Sequence, residues 1–180
     1  MLLSAAKSCL VIIDMQERLI PAIHNGDAAV ARAGLLATAA TRLEVPLIVT
    51  RQYPKGLGDT VETLRGLYSE DCNFDKTYFA STGESGFKQR LDALAREQVV
   101  VVGTEAHVCV LQTVLGLRAD GKSVFVVADA VGSRTAENRE LGLARMRDAG
   151  AQIVSTEMVV FEWLEKAGTP EFKELSALIK

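Results

Sequence analysis

The stretch Gln98-Val-Val-Val-Val-Gly103-Thr-Glu-Ala-His-Val-Cys109-Val110 decides the fold. Its first half is apolar at every position rather than at alternate ones, the pattern of a strand buried on both faces. Its second half changes period. Val110, Val114 and Leu117 share one helical face and Gly121 supplies a stop, so a helix spans residues 108–120. A buried strand running straight into a helix is half of a βαβ unit, and outward from it the alternation repeats. Residues 9–13, 46–50 and 123–128 are further apolar runs, and 151–155 reads as a weaker edge strand. Helical patterns cover residues 27–43, with Asp27 as cap, and 85–96, 135–149, 156–166 and 170–180. The expectation is a doubly wound α/β fold, a parallel sheet with helices on both faces.

The 180 residues suit one domain, residues 1–180, without an interdomain linker. Hydrophobic residues make up 48% and charged residues 24%, which argues against disorder. The net charge of -3 gives no electrostatic reason to approach nucleic acid or anionic lipid. No apolar run is long enough to cross a bilayer, and no signal peptide is evident, so a cytoplasmic location is expected. Three widely spaced cysteines and two histidines suggest neither a disulfide framework nor a metal site, and no glycine-rich phosphate loop occurs. No metal and no cofactor are therefore expected.

Residues 52–86 break the rhythm. They are rich in turn formers, and a weakly patterned segment of that length is often functional. In open α/β sheets ligands bind beyond the carboxyl ends of the strands, so those ends are the places to search. Asp14 closes the run Val11-Ile-Ile-Asp14-Met-Gln16, where partial desolvation suits a carboxylate to accept protons; a solvated loop residue or helix cap is the bland alternative. Cys109 falls in the first turn of a helix, where free N–H groups favour a thiolate and can stabilise an oxyanion; a buried core cysteine is the alternative. Lys76, among the aromatics of Cys72-Asn-Phe-Asp-Lys76-Thr-Tyr-Phe79, reads either as an inward cation or as a surface lysine paired with Asp75 or Asp71. His107 lies too close to Cys109 along the helix start to face it, and is expected in the substrate wall or in packing.

Three segments in order, Val11-Ile-Ile-Asp14-Met-Gln16, Phe74-Asp-Lys76 and Gly103-Thr-Glu-Ala-His-Val-Cys109, resemble the signature segments of the isochorismatase-like cysteine hydrolases. Pro46 to Thr50, Val127-Ala-Asp-Ala130 and Ser133-Arg134 support the match, and the similarity is greatest to the small single-domain isochorismatase-domain-containing proteins. The resemblance implies a three-layer α/β/α fold, with a mostly parallel sheet of about six strands. It implies a triad of Asp14 as base, Lys76 as electrostatic support and Cys109 as nucleophile. It further implies a cis peptide at Thr104–Glu105 that turns N–H groups of Glu105 or Ala106 and of Cys109 into an oxyanion hole.

The resemblance also implies a homo-oligomer, for which the helix Met158-Val-Val-Phe-Glu-Trp163 is a candidate contact. Two departures narrow the chemistry. Arg51, Gln52 and Tyr53 stand where nicotinamidases of this family carry metal ligands, so that metal site is not expected. Relatives acting on isochorismate itself often lack the cysteine, so Cys109 favours acyl or amide chemistry. Gln16, Gln52, Tyr53, Phe79 and His107, with Glu105, are expected to line a pocket for a small, neutral or weakly charged amide. An ester, imide or vinyl ether is the alternative substrate. A catalytically silent metabolite- or partner-binding protein is the alternative role.

Overall fold

The computed structural model describes residues 1–179; the last position of the helix expected over 170–180 lies outside the described residues. Six strands form one sheet in the order β3-β2-β1-β4-β5-β6. They are β1 (Ser8–Ile13), β2 (Leu47–Gln52), β3 (Asn73–Lys76), β4 (Gln98–Thr104), β5 (Ser123–Gly132) and β6 (Gln152–Val154). Every pairing is parallel. The long helices are α1 (Gly26–Arg42), α4 (Ser85–Ala93), α5 (Leu111–Ala119), α6 (Ala136–Asp148), α7 (Thr156–Leu164) and α8 (Pro170–Leu178). Two one-turn helices, α2 (Pro54–Leu57) and α3 (Glu62–Arg65), lie between β2 and β3.

The uninterrupted apolar runs are explained by two cores, one on each face. Leu10, Ile12, Val100 and Val102 pack with Ala33, Ala37 and Ala40 of α1, with Val159 and Trp163 of α7, and with Leu175 of α8. Their neighbours Cys9, Val11, Val99 and Val101 point the other way, onto Phe87 of α4, Val114 and Leu117 of α5 and Met146 of α6. Alternation is present in the strand geometry but invisible in hydropathy, because both faces are dry. At about 25 cal/mol per Å² of apolar area, this double burial is the main source of stability.

Three local expectations change. The sixth strand, β3, lies inside the segment that has no strand pattern; it is a half-covered edge strand with only its last residue, Lys76, buried. The helix expected from residue 108 begins earlier, as a π-helical turn over Ala106–Val110, and becomes α-helical only at α5. Helix α1 starts one residue before Asp27, with Asn25 in the left-handed cap position. Among the described residues no helix is long and apolar enough to cross a membrane.

Candidate active site

The strand order reverses direction at β1 and β4, which places a crevice beyond their carboxyl ends. Four polar groups are delivered there by strand termini. Asp14 follows β1, Gln52 ends β2, Lys76 ends β3 and Thr104 ends β4. The register aligns Ile13 with both Thr50 and Gly103, and Gln52 with Lys76. Gly103 is required for that approach. Its φ is 131°, and a Cβ there would stand 2.1 Å from the Ile13 carbonyl oxygen.

Asp14 has a left-handed backbone (φ 50°) and is gripped on every side. Its N–H donates to the Thr50 carbonyl at 3.1 Å, and its own carbonyl accepts from Thr104 Oγ1 at 2.8 Å. In the side chain, Oδ1 accepts from Thr50 Oγ1 at 2.7 Å and Oδ2 from Lys76 Nζ at 2.7 Å. Both ionic side chains are 0% exposed. A buried ion pair is tolerated only when its remaining hydrogen-bonding capacity is met. For Lys76 it is met in full, because Gln52 Oε1 (2.6 Å) and the carbonyls of Tyr78 (3.2 Å) and Phe79 (3.1 Å) also accept from Nζ. An ammonium has three donors, so Lys76 has none left over. The inward reading of Lys76 is therefore the one the fold adopts, and it acts on its surroundings through charge.

Cys109 sits in the π-helical turn and is 6% exposed. Its thiol is pushed up to about 12, first by burial and then by the charge of the Asp14 carboxylate; Lys76 works in the opposite direction. The thiolate expected from the helix start is thus not the resting form. Removing a charged sulfur from water outweighs the helix N-terminus, and the Asp14 carboxylate opposes a second negative charge. The resting site holds a neutral thiol beside a fixed carboxylate.

The Thr104–Glu105 peptide is cis. Beyond it the Glu105 carboxylate accepts a two-pronged contact from Arg134, at 2.8 and 3.1 Å. Ala106 is buried at the start of the turn, and α6 backs it closely; a Cβ on Gly142 would meet the Ala106 carbonyl oxygen at 2.9 Å.

The other expected residues divide. Gln52 joins the centre, but as a partner of Lys76, with its Nε2 donating to the Thr77 carbonyl at 2.8 Å. Gln16 is fully buried, and its amide is occupied by the Gln52 backbone and the Gly58 carbonyl, so it braces two loops instead of facing a ligand. The His107 ring contacts Ser133 Oγ at 2.9 Å and has no contact with Cys109. Tyr53 and Phe79 are more than half exposed, with Tyr78 beside them. Thr50, Tyr78 and Arg134 lie in the segments quoted above but are not among the expected site residues. Thr50 carried a usable signal, a hydroxyl closing a buried apolar run just as Asp14 closes another.

A cavity of about 610 Å³ lies away from this centre, against β3, lined by Arg51, Asp59, Arg65 and Asp75 among others. These four charges already pair with one another, Arg51 with Asp59 and Asp75, and Arg65 with Asp59. Among the described residues no cluster of three or more His, Cys, Asp or Glu is placed to hold a metal ion.

A six-stranded parallel sheet covered by helices on both faces defines the class as a three-layer α/β/α domain. The family model of the isochorismatase domain matches residues 8–158, and the chain belongs to that family of hydrolases. Isochorismatase domain-containing protein 2 of Danio rerio is 37% identical, covering 98% of this chain and 89% of its own. The secreted isochorismatase effector Isc1 of Phytophthora sojae is also 37% identical, over 96% of this chain and 84% of its own. Among solved structures, the MAR1 ribonuclease of Caenorhabditis elegans superposes with a TM-score of 0.92 at 36% identity, covering 99% and 92% of the two chains.

Proposed function

We propose that the protein is a cysteine hydrolase of small molecules that cleaves a C–N bond of amide type, with Cys109 as nucleophile, Asp14 as base and Lys76 as electrostatic support. The observation that carries this reading is the fully buried Asp14 carboxylate, held by Thr50 and Lys76 at the strand ends where β4 leads into the turn that carries Cys109. A thiol held up to about 12 needs a base at the moment of attack, and Asp14 is the carboxylate whose charge bears on it most.

The sulfur attacks the carbonyl carbon as its proton passes to Asp14. Backbone N–H groups of the segment from Glu105 to Cys109 receive the oxyanion that forms. Collapse breaks the C–N bond, and Asp14 returns the proton to the departing nitrogen, leaving a thioester on Cys109. Water, deprotonated by Asp14, then attacks the thioester; the acid leaves and the thiol recovers its proton. Lys76 stabilises the carboxylate form of Asp14 between steps. It keeps all its hydrogen bonds throughout and makes none to substrate. Tyr53, Phe79, His107 and Glu105 supply a mixed aromatic and polar rim that suits a small neutral amide. Self-association belongs to the same proposal, since Leu2, Met158 and Phe161 leave an exposed apolar face beside α7.

The test incubates the protein with p-nitrophenyl acetate, 4-nitroacetanilide, a panel of small primary amides and a single-stranded RNA, followed by peptide mass spectrometry. The expected result is an acyl group on Cys109, absent in Cys109→Ala, and amide turnover lost in Asp14→Asn. Turnover of esters without any amide would move the substrate to the ester class. Turnover surviving Cys109→Ala would end the cysteine mechanism. RNA cleavage, the activity by which the C. elegans relative is described, would replace the small-molecule reading.

A further inference from the structure

The Asp14 carboxylate is held by two side chains, and the proposed triad uses only one of them. Thr50 lies on β2, 0% exposed, directly opposite the last residue of β1. It contacts Asp14 twice, its carbonyl accepting the Asp14 N–H at 3.1 Å and its hydroxyl donating to Oδ1 at 2.7 Å. Lys76 occupies Oδ2. With one donor on each oxygen, the carboxylate plane is held against rotation. A lone Lys76 contact would leave that plane free to swing about the Cβ–Cγ bond.

We propose that Thr50 is a positioning residue that fixes the Asp14 carboxylate as the proton acceptor of Cys109. This rests on the triad reading above and deepens it. Charge-assisted hydrogen bonds are the strong ones, and this one joins two fully buried side chains. Thr50 does not touch the thiol, so it acts entirely through Asp14. The other charges bearing on the thiol are Lys76 and Glu105, the latter paired with Arg134.

The experiment needs no substrate. The rate of iodoacetamide alkylation at Cys109 is followed against pH by peptide mass spectrometry, with the Cys72 peptide as internal control, in wild type, Thr50→Val, Thr50→Ser, Asp14→Asn and the Asp14→Asn/Thr50→Val double variant. Without the hydroxyl the carboxylate is less compensated and opposes the thiolate more. Thr50→Val should then alkylate roughly 3- to 10-fold more slowly at a given pH below the thiol's titration. Thr50→Ser should return to the wild-type profile. In the Asp14→Asn background the Thr50 change should have no effect, because its target is gone. A packing defect would act in both backgrounds.

If Asp14→Asn moves the profile while Thr50→Val does not, the positioning role falls and the triad stands. If Asp14→Asn leaves the profile unmoved, the coupling of Asp14 to Cys109 is refuted, and with it both readings. Should Thr50→Val fail to fold, Thr50→Ala takes its place. Failure of both to fold would make Thr50 structural and reject the proposal.

Discussion

Replacing Lys76 by Met tests the central pair without any assumption about substrate. Methionine fills the space of the lysine stem, so the change removes a charge and three donors and leaves little cavity. Asp14, 0% exposed, then has a buried carboxylate with no cation. Breaking a buried pair in this way costs about 3–5 kcal/mol. The loss has a ceiling, because the carboxyl can take up a proton instead. From an ordinary aspartate value near 3.9, that costs about 4 kcal/mol at pH 7 and about 1.5 kcal/mol at pH 5. The orphaned Gln52 Oε1 adds about 1 kcal/mol at either pH; the carbonyls of Tyr78 and Phe79 sit in an exposed loop and can turn to water.

The expected destabilisation is thus about 5 kcal/mol at pH 7 and half that at pH 5. In a chain of 180 residues this lowers Tm by roughly 10–20 °C at pH 7. The sign follows from the proton: lowering the pH supplies the charge neutralisation that Lys76 supplied. Urea titrations of wild type and variant at the two pH values measure it directly, and Asp14→Asn added to Lys76→Met should recover most of the loss. A penalty under about 1 kcal/mol at pH 7, or one equal at both pH values, would refute the reasoning.

Other outcomes follow from the same geometry. Because burial and Asp14 hold the Cys109 thiol up to about 12, its alkylation should still be rising above pH 9, and the exposed edge of Cys72 should react first at pH 8. Asp14→Asn removes the opposing charge and leaves Lys76, so the Cys109 profile should move to lower pH; movement upward would contradict the electrostatic account. Gly142→Ala presses a methyl group against the Ala106 carbonyl oxygen and should alter the turn that carries Cys109, read as a changed alkylation rate at little change in helix content by circular dichroism. Thr135 caps α6 through its hydroxyl on the Asn138 N–H, and Thr135→Ala should cost about 1 kcal/mol in urea while leaving the Cys109 profile alone.

The sequence by itself determined the layers. Runs such as Leu10 to Ile13 and Val99 to Val102 are apolar at every position, and only a sheet covered on both faces can bury them, so the parallel α/β architecture was legible at once. Its first strand end pointed to Asp14, because a polar residue closing a dry strand has few places to go, and the helix start that follows β4 pointed to Cys109. The tertiary structure alone decided what hydropathy could not carry. Strand β3 left no periodic signal, since an edge strand of four residues with a single buried side chain needs none. That strand delivers Lys76, which looked equally suited to the surface. The partners of the buried pair, Thr50 and Gln52 from β2 and two backbone carbonyls from the loop after β3, come from separate segments of the chain. The protonation of Cys109 was decided there too. A helix start favours a thiolate locally, but the charge a sulfur can bear depends on how much water and which neighbours surround it, and both are set by parts of the chain far away in sequence.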